Sequence, residues 1–272
     1  MLWCIATADQ REVDSGDLNK FLDSAVEHEV KVIAVLREVS EDDAARFAGM
    51  PQVSEVVSVE RCGVSRARNA GLQALRVSVA TFDDYVAFPD DDCKYGKQFG
   101  GNLKRLSLEH DGPDVIFGSY GEGPAAEYPA RPAKASDALL RVSSVGIFVK
   151  WGLLQSVGNF NTALGVGSKG FAYGEDNDMA YRILTKSRSA VFAPELRVWH
   201  LESRMTSGRN PKGYLSVCAL HLPNLTPVAL IARGVFSAVV QDIVRLDVSL
   251  SQVRAVGRAL NPRALMRAKL WL

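Results

Sequence analysis

The sequence predicts an α/β fold in which a mainly parallel sheet is flanked by helices on both faces. The first supporting observation is that short apolar segments alternate with amphipathic ones up to about residue 205. The second is size, since 272 residues suit one large domain or one domain with an appendage. The third is composition, because 47% hydrophobic and 23% charged residues are ordinary for a globular protein with a substantial core.

The first elements predicted along the chain are three strands and two helices. The apolar runs LWCIATA (2–8) and KVIAVL (31–36) predict two strands, and the amphipathic stretch DLNKFLDSAVEH (17–28) predicts a helix between them. VSEVVSV (53–59) predicts the third strand, and GVSRARNAGLQAL (63–75) predicts the helix that follows it. A strand–helix–strand order of this kind produces parallel pairing.

Later elements are predicted from short apolar runs. DDYVAF (83–88), DVIFGS (114–119) and SVGIFV (144–149) predict further strands. The stretch 121–136 is rich in proline, alanine and glycine, which predicts a surface loop. Ligands of such sheets bind beyond the carboxyl ends of the strands, so we expect the functional residues at strand ends.

Charge and cysteine usage exclude several classes of protein. The formal net charge is +1, which gives no reason to expect a nucleic-acid partner. Cys4, Cys62, Cys93 and Cys218 are scattered without a CxxC pair, which predicts a reducing compartment and argues against a structural zinc site. The N-terminal MLWCIATADQ reaches an acidic residue too early for a secretory signal. We therefore expect a cytoplasmic protein.

The region 206–272 predicts an amphipathic, basic, helical C-terminal extension. Residues 214–232 carry no formal charge, but two prolines and several polar residues argue against a membrane span. A helix with one apolar face is predicted from Thr226 onwards. The chain after Asp247 has five basic and no acidic side chains. The segment 226–272 therefore either lies peripherally on an anionic membrane surface, the inner face of the cytoplasmic membrane, or packs on the preceding domain.

Three aspartates directly follow a predicted strand, in FPDDDCKY (88–95). Asp90, Asp91 and Asp92 repel one another unless a positive charge is present. Their oxygen ligands suit a hard cation such as Mg²⁺ or Mn²⁺, which takes one or two carboxylates and fills its other positions with phosphate oxygens and water. A solvated acidic loop that caps a helix is the alternative interpretation.

Three further segments carry residues suited to chemistry. In GVSRARNAGL (63–72), arginine forks suit phosphate groups, although a basic helix surface would look the same. GFAYGEDNDMAYRIL (170–184) places carboxylates at a predicted helix start, where they either complement the dipole or include a general base. RVWHLES (197–203) places His200 after a predicted strand, as a metal ligand or as a structural histidine.

Taken in this order and spacing, GVSRARNAGL, FPDDD, GVGSKGFAYGEDNDMAYRIL and VWH resemble the motifs of family 2 glycosyltransferases. The resemblance covers about residues 1–205 and implies a GT-A fold catalytic domain followed by the extension 206–272. It implies metal-dependent transfer of a sugar from a nucleotide-diphosphate donor to an acceptor hydroxyl, with inversion at the anomeric carbon. The implied acceptor is a glycan or a lipid-linked glycan.

The resemblance also implies roles for individual residues. Asp92 matches the metal-binding aspartate of the DxD motif, and Asp90 matches the aspartate that contacts the donor ribose or the metal. His200 matches a late histidine that completes the site for Mn²⁺ or Mg²⁺. Asp176 matches the base that deprotonates the acceptor, with Glu175 orienting the acceptor or the base.

The remaining implied contacts are with the nucleotide sugar. They comprise Thr7 and Asp9 at the end of the first strand, Arg66, Arg68 and Asn69 at a helix start, and Asp91, whose role the resemblance leaves open. One departure concerns the nucleobase, since the family has an aspartate where this chain has Arg37. Either Glu38 substitutes for it or the base is held differently.

Two alternatives stay open from the sequence. A sugar-nucleotide nucleotidyltransferase also combines a metal with carboxylates, but it normally has a glycine-rich signature near the first strand, which MLWCIATADQ lacks. A catalytically silent module that binds a sugar nucleotide or a membrane belongs to a different class. The joint presence of Asp90, Asp92, Asp176 and His200 argues against such a module.

Overall fold

A computed structural model describes residues 1–122, 128–169 and 173–200 of the protein. The predicted extension 206–272 lies outside the described residues. The described elements, in chain order, are β1 (Leu2–Asp9), α1 (Gln10–Asp14), α2 (Asp17–Val26), β2 (Lys31–Arg37), α3 (Glu41–Ala48), β3 (Val53–Val59), α4 (Val64–Arg76), β4 (Tyr85–Ala87), β5 (Cys93–Tyr95), α5 (Phe99–Glu109), β6 (Val115–Tyr120), β7 (Arg131–Pro132), α6 (Ala135–Leu140), a 3-10 turn (Ser144–Gly146), β8 (Ile147–Lys150), α7 (Trp151–Val157), α8 (Glu175–Lys186) and β9 (Ala190–His200).

One mixed sheet has the strand order β3-β2-β1-β4-β8-β6-β9-β5, and β7 pairs with β9. Strands β1, β2, β3 and β4 are parallel, and β6 and β9 run in the same direction as they do. Strand β8 is antiparallel to both of its neighbours, and β5 and β7 are antiparallel to β9. The prediction of a mainly parallel sheet flanked by helices is confirmed. The antiparallel direction of the predicted strand β8 and the existence of β5 and β7 were not indicated by the sequence.

The core lies on both faces of the sheet because successive side chains of a strand point to opposite faces. In β1, Cys4, Ala6 and Ala8 belong to one apolar cluster, whereas Trp3 and Ile5 belong to the other. All five are buried. A strand that is buried on both faces reads as a continuous apolar run, which explains why β1 could be predicted from LWCIATA.

Helix α4 packs closely on the sheet through Gly71. A Cβ atom at Gly71 would collide with the side chain of Ile5 on β1, so only glycine permits this approach. The close contact places the first turn of α4 beside the carboxyl ends of the parallel strands. The loop after β4 reaches the same edge, where Asp90 forms an isolated parallel bridge with Thr7.

Several described elements were not predicted from the sequence, namely α1, α3, β5, α5 and α7, and the structure also differs from the prediction in two further segments. Helix α1 begins in a capping box in which Asp9 and Glu12 bind each other's backbone N–H groups. The segment 144–149 begins with a 3-10 turn before β8, and the predicted loop 121–136 contains β7 and the start of α6. Within the residues that the structure describes, no helix is long and apolar enough to cross a membrane.

Candidate active site

Arg68 on α4 is the centre of the candidate site. Its Nη2 donates to Asp90 Oδ1 (2.9 Å), and its Nη1 donates to Asp176 Oδ1 (3.1 Å). Glu175 Oε1 lies 3.8 Å from Nη1. The Arg68 side chain is only 3% exposed. Burial alone would lower the pKa of Arg68, but the three carboxylates raise it above the ordinary value, so the guanidinium stays charged.

On one side of Arg68 lies the loop cluster, which we define as Asp90, Asp91, Asp92 and His200. His200 Nε2 lies 3.4 Å from Asp90 Oδ2 and 3.3 Å from Asp92 Oδ1. Burial alone would raise the pKa of Asp90, but His200 and Arg68 bring it below the ordinary value. The structure therefore brings together three residues that the sequence predicted as metal ligands.

The loop cluster fits a divalent cation in its donor atoms. Asp92, Cys93 and His200 each offer one ligand atom, and these atoms lie within 4.8 Å of one another. All three residues are buried. Cys93 directly follows the aspartates in the sequence, but it was not predicted as a ligand. The pairing of β5 with β9, which sets Cys93 opposite His200, connects residues more than a hundred positions apart.

Asp91 is buried beside a carboxylate that the sequence reasoning did not single out. Burial raises the pKa of Asp91 to about 8, and the negative charges of Glu12, Asp92 and Asp90 add to this effect. Burial also raises the pKa of Glu12, against the lowering contributions of the Asp9 backbone N–H and Arg37. Asp91 is therefore largely protonated at neutral pH when no cation is bound.

On the other side of Arg68 lies the helix cluster, which we define as Glu175 and Asp176 at the start of α8. Gly174 precedes the helix with a φ of 101°, a conformation that favours glycine. Burial raises the pKa of Glu175 to about 8, with a further increase from Asp176 and a decrease from Arg68. Glu175 thus carries a proton at neutral pH and has a hydrogen bond to donate.

Two serines complete this arrangement and were not predicted. Ser143 Oγ donates to Asp176 Oδ2 (2.8 Å), and Arg68 Nη2 donates to Ser144 Oγ (2.8 Å). Both precede β8, whose antiparallel position brings them to the site. The only sequence signal was the polar pair before an apolar run, which is common in proteins.

Arg66 and Asn69, the other predicted donor contacts on α4, have different surroundings. The side chain of Arg66 is exposed. The Asn69 amide donates to the Phe160 carbonyl (2.9 Å) and accepts from the Phe160 N–H (2.8 Å), so it fixes the neighbouring loop. The structure therefore separates the three polar residues of this motif, and Arg68 alone among them reaches the carboxylates.

The ends of β1 and β2 carry the last predicted donor contacts. Thr7 is buried beside Asp90, and Asp9 caps α1. Arg37 Nη2 lies 3.0 Å from Glu12 Oε2 and 3.9 Å from Asp9 Oδ2. Glu38 is exposed in the left-handed region, with a φ of 53°. Arg37 thus occupies the strand end and is held by two acidic residues of the capping box.

Comparisons with known proteins identify the fold. No protein-family model matches the sequence, and no curated protein matches it either. Among solved structures, the chain is similar to TarS 1–349 from S. aureus, with a TM-score of 0.68 and 14% identity over 98% of this chain and 80% of that one. The structure of TarS 1–349 in complex with UDP-GlcNAc has a TM-score of 0.67 and 13% identity over 98% of this chain and 81% of that one.

The chain has the GT-A fold. A third similar structure, GalNAc-T7 with UDP, GalNAc and Mn²⁺, has a TM-score of 0.51 and 16% identity over 80% of this chain and 47% of that one. The GT-A fold expected from the sequence motifs is confirmed. At these identities the likeness concerns the fold alone, since one fold can carry different chemistries.

Proposed function

We propose that this protein is an enzyme, a metal-dependent inverting glycosyltransferase. It would transfer a sugar from a nucleotide-diphosphate donor to an acceptor hydroxyl of a glycan or a lipid-linked glycan. One observation carries this proposal: Arg68 joins a cluster suited to a cation with a cluster suited to a general base. A single displacement is assisted by both, since the base activates the attacking hydroxyl and the cation stabilises the leaving diphosphate.

The loop cluster would bind the donor. Asp92 and His200, with Asp90, would hold Mn²⁺ or Mg²⁺ together with the donor diphosphate. A bound divalent cation stabilises the negative charge that develops on the leaving nucleoside diphosphate. The carboxylates of this chain would position the diphosphate through the cation, and the repulsion among them would be relieved as the cation binds.

The helix cluster would act on the acceptor. Arg68 and Ser143 each donate to a different oxygen of Asp176, so both oxygens are fixed and each retains capacity to accept another hydrogen bond. Asp176 would take the proton of the acceptor hydroxyl as that oxygen attacks the anomeric carbon. Glu175, protonated at neutral pH, would orient the acceptor or Asp176 by donating a hydrogen bond. One base suffices here, in contrast to the two carboxylates that glycoside hydrolysis requires.

The ends of β1 and β2 would hold the nucleotide. Thr7, Asp9 and Glu38 line this edge, and Arg66 at the start of α4 adds an exposed positive charge for the phosphates. TarS 1–349 with UDP-GlcNAc and GalNAc-T7 with UDP make uridine donors the first to test. Guanosine and cytidine donors are necessary comparisons, because Arg37, paired with Glu12, stands where the family has an aspartate that contacts the base.

A donor screen tests the proposed function. The full-length protein is incubated with UDP-, GDP-, CDP- and dTDP-sugars in Mn²⁺, and thermal shift and release of the nucleoside diphosphate are measured. We expect one donor to raise the melting temperature and to be turned over slowly, and we expect EDTA to abolish both effects. Failure of every donor to bind would contradict the proposal.

We also propose that the segment 226–272 attaches the enzyme peripherally to the inner face of the cytoplasmic membrane. Its basic and apolar composition supports this proposal. Flotation of the full-length protein with anionic vesicles is the test. The control is a full-length variant in which Arg254, Arg258, Arg263, Arg267 and Lys269 are replaced by Gln. Equal flotation of the two proteins would contradict the electrostatic attachment.

A further inference from the structure

The strands β5 and β9 bring a thiol into the group that suits a cation. Cys93 and His200 are direct partners in the antiparallel register, so their side chains lie on the same face of the ladder. Asp92 precedes β5, and its Oδ1 lies 3.3 Å from His200 Nε2. One oxygen, one sulfur and one nitrogen atom thereby lie within 4.8 Å of one another.

Burial alone does not explain this position of Cys93. Cys93 and Cys4 are both fully buried in the same apolar cluster. Cys4 Sγ lies 3.1 Å from the Tyr95 hydroxyl, a contact expected of a structural thiol. Among the described residues, the group of metal-ligating side chains includes Cys93 and not Cys4. Cys4 therefore serves as an internal control for Cys93.

We propose that Cys93 is a ligand of the catalytic cation, together with Asp92 and His200, and that it makes the site prefer thiophilic cations to Mg²⁺. The proposal rests on the proposed function, whose cation it specifies. On binding, the Cys93 S–H bond breaks, the proton passes to solvent and a sulfur–metal bond forms. Magnesium accepts oxygen ligands almost alone, whereas Co²⁺, Zn²⁺ and Cd²⁺ also accept sulfur and imidazole nitrogen.

Asp90 has a supporting place in this arrangement. Its Oδ1 accepts from Arg68, and its Oδ2 lies 3.4 Å from His200 Nε2. Because Asp90 Oδ2 faces the same ring nitrogen as Asp92 Oδ1, Asp90 lies where it can also contact the cation, as the proposed function assigns. Ligands from these protein side chains still leave coordination positions for diphosphate oxygens, as the donor requires.

Cobalt absorption tests the ligand directly. Metal-free full-length protein is titrated with Co²⁺, and the near-ultraviolet sulfur-to-cobalt charge-transfer band is recorded. We expect the band in the wild type and its loss in Cys93→Ser. The controls Cys4→Ser, Cys62→Ser and Cys218→Ser should retain it. Absence of the band in the wild type, or its persistence in Cys93→Ser, would overturn the proposal.

Calorimetry tests the preference among cations. We expect Cys93→Ser to weaken Cd²⁺ binding by at least about tenfold and to leave Mg²⁺ binding unchanged. An equal loss for both cations would indicate general damage to the site and overturn the ligand assignment. X-ray absorption of the wild-type Zn²⁺ complex needs no variant and should show sulfur at about 2.3 Å.

These outcomes are distinguishable from failure of the proposed function. Sulfur ligation without binding of any nucleotide sugar would contradict the transferase and support the Cys93 assignment. Metal-dependent donor binding without a sulfur ligand would support the transferase and overturn the assignment.

Discussion

The loop cluster and the helix cluster share Arg68 but differ in their other neighbours. The loop cluster contains the His200 imidazole and lies beside the Cys93 thiol, and both groups are of a kind that binds transition metals. The helix cluster faces the Ser143 hydroxyl, which orients a carboxylate without competing for a cation. Under the proposed function, carboxylates would therefore serve cation binding in one cluster and proton transfer in the other, because the neighbouring side chains differ.

Each cluster also contains one carboxyl group whose pKa is raised to about 8. For Asp91, burial acts together with the charges of Glu12, Asp92 and Asp90. For Glu175, burial acts together with Asp176 and against Arg68. A bound cation would relieve the crowding of negative charge in the loop cluster, whereas the charge of the helix cluster is balanced by the Arg68 guanidinium. This difference leads to four predictions.

Removing the shared residue should have the largest effect. Arg68→Gln leaves Asp90, Asp176 and Glu175 without their buried positive charge. We expect the free energy of unfolding, measured with urea at pH 7, to fall by about 3–5 kcal/mol. Arg66→Gln is the matched control, since the exposed Arg66 lies on the same helix and its loss should change stability by less than about 0.5 kcal/mol. Similar losses in both variants would contradict the central role of Arg68.

One substitution in each cluster distinguishes the role proposed for the loop cluster, donor binding, from the role proposed for the helix cluster, proton transfer. Asp176→Asn should lower kcat by about 10²–10⁴-fold, because the acceptor loses its base, while Mn²⁺-dependent donor affinity stays unchanged. Asp92→Ala should abolish that donor affinity instead. Calorimetry with the donor and a transfer assay measure the two properties. A normal kcat in Asp176→Asn would show that the base lies elsewhere.

The sequence predicted the carboxylates of both clusters better than it predicted their partners. Asp90, Asp92 and His200 directly follow or end strands, and strand ends in such a sheet meet at one edge. Ser144 lies 76 positions from Arg68, and Cys93 is brought to His200 by antiparallel pairing. Contacts of this kind depend on strand order, which local periodicity does not contain.

The motif on α4 shows a second limit. Arg66, Arg68 and Asn69 were predicted to contact the donor together, yet one is exposed, one is buried between carboxylates and one holds the Phe160 backbone. Residues one to three positions apart on a helix face different directions. The motif therefore indicates that a site is near without indicating which side chain enters it.

Glu175→Gln should reveal the proton held in the helix cluster. Between about pH 4.5 and 8 the folded protein retains a proton on Glu175 that the unfolded chain has lost, so wild-type stability falls as the pH rises through this window. Glutamine stays neutral, and above pH 8 the variant should be more stable than the wild type by at least about 1.4 kcal/mol, the equivalent of one pKa unit.

Urea unfolding at about pH 5.5, 7 and 8.5 measures this difference, because the first two values lie inside the window and the third lies above it. Glu60→Gln, which changes an exposed side chain, serves as the control. It should leave the dependence of the free energy of unfolding on pH unchanged. If the free energy of unfolding of Glu175→Gln changed with pH as it does in the wild type, Glu175 would be ionised in the folded protein across the whole window. The same variant should keep its transfer rate above pH 8, where the wild type gains a negative charge beside Asp176.

The smallest expected effect separates the two serines before β8. Ser143→Ala removes one donor to Asp176, so we expect kcat to fall about fivefold, the equivalent of ~1 kcal/mol for one hydrogen bond. Ser144→Ala removes an acceptor of Arg68 and should instead lower the free energy of unfolding by about 1 kcal/mol. Transfer assays and urea unfolding are run on both variants. Because Ser143 contacts the proposed base and Ser144 contacts the residue that joins the clusters, a rate loss confined to Ser144→Ala would reverse the roles assigned to these serines.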